Sequence, residues 1–171
     1  MKAEHPTLTP WSRNGDARLK VILIAPVGEG VGGMIAQANL LVRELRRQNL
    51  VELEVIDSAQ RYRDYHKLGL FTRIWGGSRA ASRMAIRLVS LMLEFKPDSV
   101  EIRSSASIGL VRDLLFCFLS RLFGVRIGVS FHFGRIPELA KRRNVEWWLL
   151  CFVIKMATTV CVLDRGSLAV L

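Results

Sequence analysis

Two places in the chain carry residue types suited to chemistry on an anionic or hydroxylated substrate. The first is the run Pro26-Val27-Gly28-Glu29-Gly30-Val31-Gly32-Gly33, which follows an apolar stretch. Its glycines permit positive φ and close approach, and a helix opening there offers free N–H groups and a positive dipole end to a phosphate. The second is His132, directly after residues 125–131 (VRIGVSF). A histidine in that position donates a hydrogen bond to a hydroxyl or phosphoryl oxygen, or acts as acid or base near neutral pH. The competing readings are a tight strand-to-helix turn and a structural histidine.

Gly28, Gly30 and Gly33 match G-x-G-x-x-G, and Asp57 closes the next strand-like run, where a dinucleotide-binding domain would hold a ribose. Asp57 lies 24 residues beyond Gly33, further than the usual roughly 20, and Pro26 and Val27 intervene before the first glycine. Three cysteines, Cys117, Cys151 and Cys161, sit in apolar runs without a C-x-x-C pair or a histidine at metal spacing, so they read as small buried hydrophobes in a reducing compartment. No metal site is expected.

These groups need a scaffold, and the pattern alternates short β-branched runs with helical periods, which predicts βαβ units around a parallel sheet. Residues 20–25 (KVILIA), 51–57 (VELEVID), 99–103 (SVEIR), 125–131 and 158–163 (TTVCVL) read as about five strands. Glu52 and Glu54 share a strand face and read as solvated positions. Helices are expected over residues 33–47, 79–95, 108–123 and 145–157, with another opening at Ser167. Residues 58–78, with Gly69 and Gly76-Gly77, are expected to form a long loop with a short helix, and Pro137 to lie in a connector. Helix 108–123 has only Arg112, Asp113 and Arg121 as charges, so it is expected to be largely buried.

With 171 residues, half of them hydrophobic, and only five prolines, the chain is long enough to bury a core without disulfides, which excludes a disordered or collagen-like protein. The first nineteen residues are polar and read as a loose tail, and no apolar stretch reaches the roughly 20 residues that span a bilayer. The net charge of +10 is uneven: residues 1–57 carry seven charges of each sign, whereas residues 58–97 carry eight basic against two acidic. Within that basic stretch Arg73 and Trp75 stand near Arg79, Arg83 and Arg87, an electrostatic footprint for an anionic surface. Lys141-Arg142-Arg143 before Trp147-Trp148 repeats the mixture. An exposed basic face with inward-packed aromatics is the alternative, and no nucleic-acid-binding signature accompanies either segment.

The ordered series of motifs resembles a known family. A Pro and then Gly-Gly open a helix (GGMIAQANLLVREL); Lys96-Pro97-Asp98 precedes a strand; a serine-rich turn is followed by Arg112; Phe123-Gly124 precedes a strand ending Ser130-Phe131-His132; and Cys161-Val162-Leu163 lies in the final strand. Together, over residues 19–171, these look like the N-terminal, acceptor-side half of the family 4 retaining glycosyltransferases of GT-B fold. The resemblance implies a Rossmann-like domain whose Gly32 and Gly33, with Gly30, approach the donor diphosphate, whose His132 faces the transferred sugar, and whose Arg112 contacts acceptor or phosphate. It implies a nucleotide sugar as co-substrate with no other cofactor and a polysaccharide or glycolipid acceptor; the basic, aromatic-interleaved segments add the expectation of a cytoplasmic protein in peripheral contact with the inner membrane face. The family's donor domain and its Glu-x7-Glu motif are not present, since Glu138 and Glu146 sit in the wrong half. The chain is therefore expected to be truncated and inactive without that domain. A dinucleotide-binding domain of an oxidoreductase, resting on the glycines and Asp57, and a non-enzymatic basic module for membranes or nucleic acid are the alternatives.

Overall fold

The computed structural model describes residues 18–29, 32–49, 51–59, 70–105 and 109–171, with the backbone alone for 70–76. Strands β1 (Leu19–Ala25), β2 (Val51–Asp57), β3 (Ser99–Ser104), β4 (Arg126–Phe131) and β5 (Thr159–Val162) alternate with helices α1 (Gly33–Gln48), α2 (Leu70–Glu94), α3 (Gly109–Leu122), α4 (Ile136–Arg142), α5 (Val145–Met156) and α6 (Arg165–Leu168). All pairings are parallel, in the order β2-β1-β3-β4-β5. The result is an open, Rossmann-like α/β sheet of five strands, as the alternation of patterns predicts. Strand order reverses between β1 and β3, which leaves a crevice at their carboxyl ends.

One sheet face is closed by apolar packing. Ile22, Ile24, Val100, Ile102, Ile127 and Val129 are buried there beneath Leu88 and Leu91 of α2, Leu110 and Phe116 of α3, and Leu150 and Val153 of α5. The opposite face is treated unequally. Over β1 and β2 it is covered by α1, where Leu23 and Ala25 meet Ala38, Leu41 and Val42. Over β3, β4 and β5 the same face carries half-buried Glu101, Arg103 and Ser130 and exposed Thr159 and Cys161. The strand register is held at its start by Asp98, which donates its N–H to the Lys20 carbonyl (2.8 Å) and accepts the Lys20 N–H on Oδ2 (2.9 Å). These two hydrogen bonds to the backbone of one residue give the Asp of Lys96-Pro97-Asp98 its place in the fold.

Four expectations need correction. Helix α2 starts at Leu70, nine residues ahead of the expected 79, and runs through Gly76-Gly77. Glycine costs a helix about 1 kcal/mol per residue relative to Ala, and the apolar stripe anchored by Leu88 and Leu91 outweighs that. The rest of the expected loop, 60–69, lies outside the described residues, as does most of the polar tail. Pro137 stands in the first turn of α4, where its missing N–H has no helical partner to lose. Helix α3 buries only one face, and Val111, Leu115, Phe118 and Leu122 stay exposed. Cys161 is exposed while Cys117 is buried and Cys151 is intermediate, because β5 lies at the sheet edge on the uncovered face. Glu52 and Glu54 behave as solvated strand positions, near Lys20 (3.5 Å) and Arg87 (3.7 Å).

Candidate functional site at the carboxyl edge of the sheet

The turn after β1 is built around Asn39. The Gly28 N–H donates to Asn39 Oδ1 (3.1 Å), and Asn39 Nδ2 donates to the Gly28 carbonyl (2.8 Å), so one side-chain amide satisfies both backbone groups of one residue. Gly28 takes φ +111°, a conformation that favours glycine. Asp57 supports the same turn, since its Oδ1 accepts the N–H of Val27 (3.1 Å) and of Ala59 (2.8 Å). This carboxylate thus joins the ends of β1 and β2 at the position where a ribose contact was considered.

Helix α1 begins at Gly33 with Gly32 as its cap residue and no side-chain cap. The first backbone bond is the Ala36 N–H to the Gly32 carbonyl (3.0 Å), so the earlier amides have no partner within the helix. No described atom lies within 4 Å of where a Cβ would stand at Gly32 or Gly33. Among the described residues the helix start is open, as close approach of a phosphate requires. Gly30 lies outside the described residues.

His132 follows β4 on the same carboxyl edge, two strands from β1, about 10 Å by strand spacing. Its N–H donates to the Ser104 carbonyl (3.1 Å), which fixes its backbone to the end of β3. Its imidazole Nε2 lies 3.3 Å from Arg103 Nη1. A guanidinium only donates, so Nε2 is the acceptor and the ring proton sits on Nδ1. Burial, reinforced by Arg103, holds the imidazole pKa below its ordinary value. At neutral pH His132 is therefore an uncharged donor beside a fixed positive charge. Arg103 was not singled out in the sequence, although Glu101 and Arg103 alternating through a strand signal a face without apolar cover.

Arg112 occupies the first turn of α3, where its Nε (3.0 Å) and Nη2 (2.8 Å) both donate to Oδ1 of the adjacent Asp113, and its guanidinium lies 5.9 Å from the Phe116 ring. It is largely buried and committed to that pair. Asp113 Oδ2 and Ser104 Oγ are buried and have no hydrogen-bond partner among the described residues. Burial pushes the Asp113 carboxyl above its ordinary range; Arg112 pulls the other way, as does the nearby Ser104 hydroxyl. Neither Ser104 nor Asp113 was legible as a site residue, because an isolated Ser or Asp near a helix start reads as a cap.

A groove of about 470 Å³ continues from this edge between α1 and β2. Its walls are apolar at Val27, Val42 and Val55 and polar at Asn39, Arg43 and Arg46. The other predicted cations are more dispersed. Arg79, Arg83 and Arg87 are exposed along α2, with Arg87 near Glu54, whereas Arg73 and Trp75 fall in the first turns of α2 with side chains outside the described set. Among the described residues no group of three metal-ligating side chains occurs, and no helix is long and apolar enough to cross a membrane.

No protein-family model and no curated protein matches the chain. Among solved structures it is similar to UGT73P12 of Glycyrrhiza uralensis, crystallised with glycyrrhetinic acid 3-O-monoglucuronide, at TM-score 0.41 and 9% identity; the match covers 72% of this chain and 30% of that one. It is also similar to a conserved protein from Enterococcus faecalis V583, at TM-score 0.40 and 10% identity, over 90% of this chain and 96% of that one. The chain thus spans under a third of the first structure and nearly the whole of the second.

Proposed function

We propose that this chain is the acceptor-side domain of a retaining glycosyltransferase that moves a sugar from a nucleotide donor to a glycan or lipid-linked acceptor, working with a separate donor-binding domain. The observation that carries this reading is one shared edge. The uncapped, open start of α1 at Gly32 and Gly33 stands at the end of β1, and His132 with Arg103 beside it stands at the end of β4. In the reaction the bond from the anomeric carbon to the diphosphate oxygen breaks, an acceptor hydroxyl oxygen bonds that carbon, and the hydroxyl proton is released. The N–H groups at Gly32 and Gly33 and the α1 dipole suit the charge that develops on the departing diphosphate. Nδ1–H of His132 suits a sugar hydroxyl, and Arg103 adds positive charge beside it. Arg112 is tied to Asp113 at the start of α3, and the groove with Arg43 and Arg46 suits an anionic acceptor with an apolar portion.

Amide NMR of the chain joined to a donor domain and titrated with UDP or GDP tests this reading. Shifts confined to Gly32, Gly33 and the first turn of α1, weakened by Gly33→Val and absent with NADH, are expected. Unchanged amides at this edge with either nucleotide, or equal shifts with NADH, would overturn it. In the enzyme joined to a donor domain, His132→Ala should abolish transfer with the fold intact, and normal turnover would remove its role.

A further inference from the structure

The helical layer over the closed sheet face has an outer surface that neither the core nor the carboxyl-edge site uses. On α3, Val111, Leu115, Phe118 and Leu122 recur at helical spacing and are exposed, Phe118 at 52%. On α5, which packs against α3, Val145, Trp148 and Phe152 do the same, with Trp148 at 57% and Phe152 at 53%. A strip from Val111 to Leu122 is roughly 17 Å long, and two helices side by side are about 20 Å wide, so the patch is on the order of 350 Å². That size falls in the range of the largest apolar patch on a typical monomer, which is often functional.

The charges around the strip identify its partner. No carboxylate is exposed on the outer face of either helix: Asp113 is buried against Arg112, and Glu146 is drawn aside to Arg135 (3.0 Å). Cations flank the strip instead. Arg121 and Lys155 are exposed at the C-terminal ends of α3 and α5, and Arg142 and Arg143 are exposed just before α5. On the other side of α3, α2 adds exposed Arg79, Arg83 and Ile86 against one exposed carboxylate, Glu94. A second copy laid on this face would set cations against cations. An anionic bilayer instead accepts aromatic and aliphatic side chains among its acyl chains while its headgroups meet the rim.

We propose that the α3–α5 face, with α2 beside it, docks on an anionic lipid surface. This differs from the site foreseen around Arg73 and Trp75, since the apolar anchor is supplied by α3 and α5, with α2 contributing charge. It is independent of the glycosyltransferase reading.

Co-sedimentation of the chain with phosphatidylcholine vesicles, with and without phosphatidylglycerol, tests it. Binding is expected to the anionic vesicles, weaker in high salt. Phe118→Ser, Trp148→Ser and Phe152→Ser should each lower affinity by about tenfold, by loss of apolar burial. Leu40→Ser, on α1 and the opposite sheet face, should leave it unchanged, and unaltered circular-dichroism melting shows that each variant folds. Failure to sediment with anionic vesicles would overturn the proposal. So would a concentration-dependent dimer that the same serine variants abolish without any vesicle binding.

Discussion

At the residue scale, the pair His132 and Arg103 makes a pH argument that can be checked directly. The folded imidazole titrates below its ordinary 6.5 because burial and then Arg103 disfavour its charge. The unfolded chain therefore takes up the proton first as pH falls, so the contribution is present above about 6.5 and is lost as pH drops through the folded value. Arg103→Gln should raise the His132 pKa toward 6.5, read from imidazole NMR, and make the acid loss of stability shallower. An unchanged pKa would mean that burial alone sets it. Asn39 makes a separate prediction. Asn39→Ala removes both bonds to Gly28 and should cost about 1 kcal/mol, since the freed groups reach water. Its larger effect should be weakened nucleotide binding at the α1 start, measured by the NMR titration.

At the element scale, α2 shows tertiary packing overriding a local signal. Gly76 and Gly77 read as a break, but a helix of 25 residues gains more from seating Leu88, Leu91 and Met92 on the sheet than two glycines cost. A Cβ at Gly77 would meet no described atom within 4 Å, so Gly77→Ala should stabilise the protein by about 1 kcal/mol, seen as a higher melting temperature. A decrease would show that the chain is not helical there. Gly128 has a neighbour where Gly77 has none. It lies opposite Glu101 in the neighbouring strand, and a Cβ there would overlap both Glu101 carboxylate oxygens. That carboxylate is the far end of a flexible side chain on the uncovered face, so Gly128→Ala should push it aside with a change of less than about 1 kcal/mol in denaturant unfolding; a larger loss would show that Glu101 is held in place.

At the scale of the whole molecule, the two sheet faces differ in chemistry. The face beneath α2, α3 and α5 is apolar from β1 to β5, whereas the other is apolar only where α1 lies over it. The thiols report this division. Cys161 on the uncovered face should react with a thiol reagent in the native protein, and Cys117, buried and with its pKa pushed up to about 12, should react only after unfolding. Equal rates for both would contradict the layering. The same division places polar side chains from β3, β4 and β5 next to the end of β4, which is why His132 has a charged neighbour.

The strands, the helices of clear period and the parallel class were legible in the sequence, because burial on a strand or helix leaves a periodic apolar trace. So were the open turn at Gly32 and Gly33 and the histidine after the fourth strand, since glycine and an edge histidine carry local chemistry. The pairing of Arg103 with His132 was not legible, because it spans neighbouring strands whose register is set by long-range backbone bonds. The roles of Asn39 and Asp57 in the turn, and the burial of Ser104 Oγ and Asp113 Oδ2, likewise depend on which backbone groups the fold brings within reach. The exposed strip on α3 and α5 was hidden for a related reason. A helix with few charges reads as buried, and only the packed layer decides which of its apolar faces the sheet can cover.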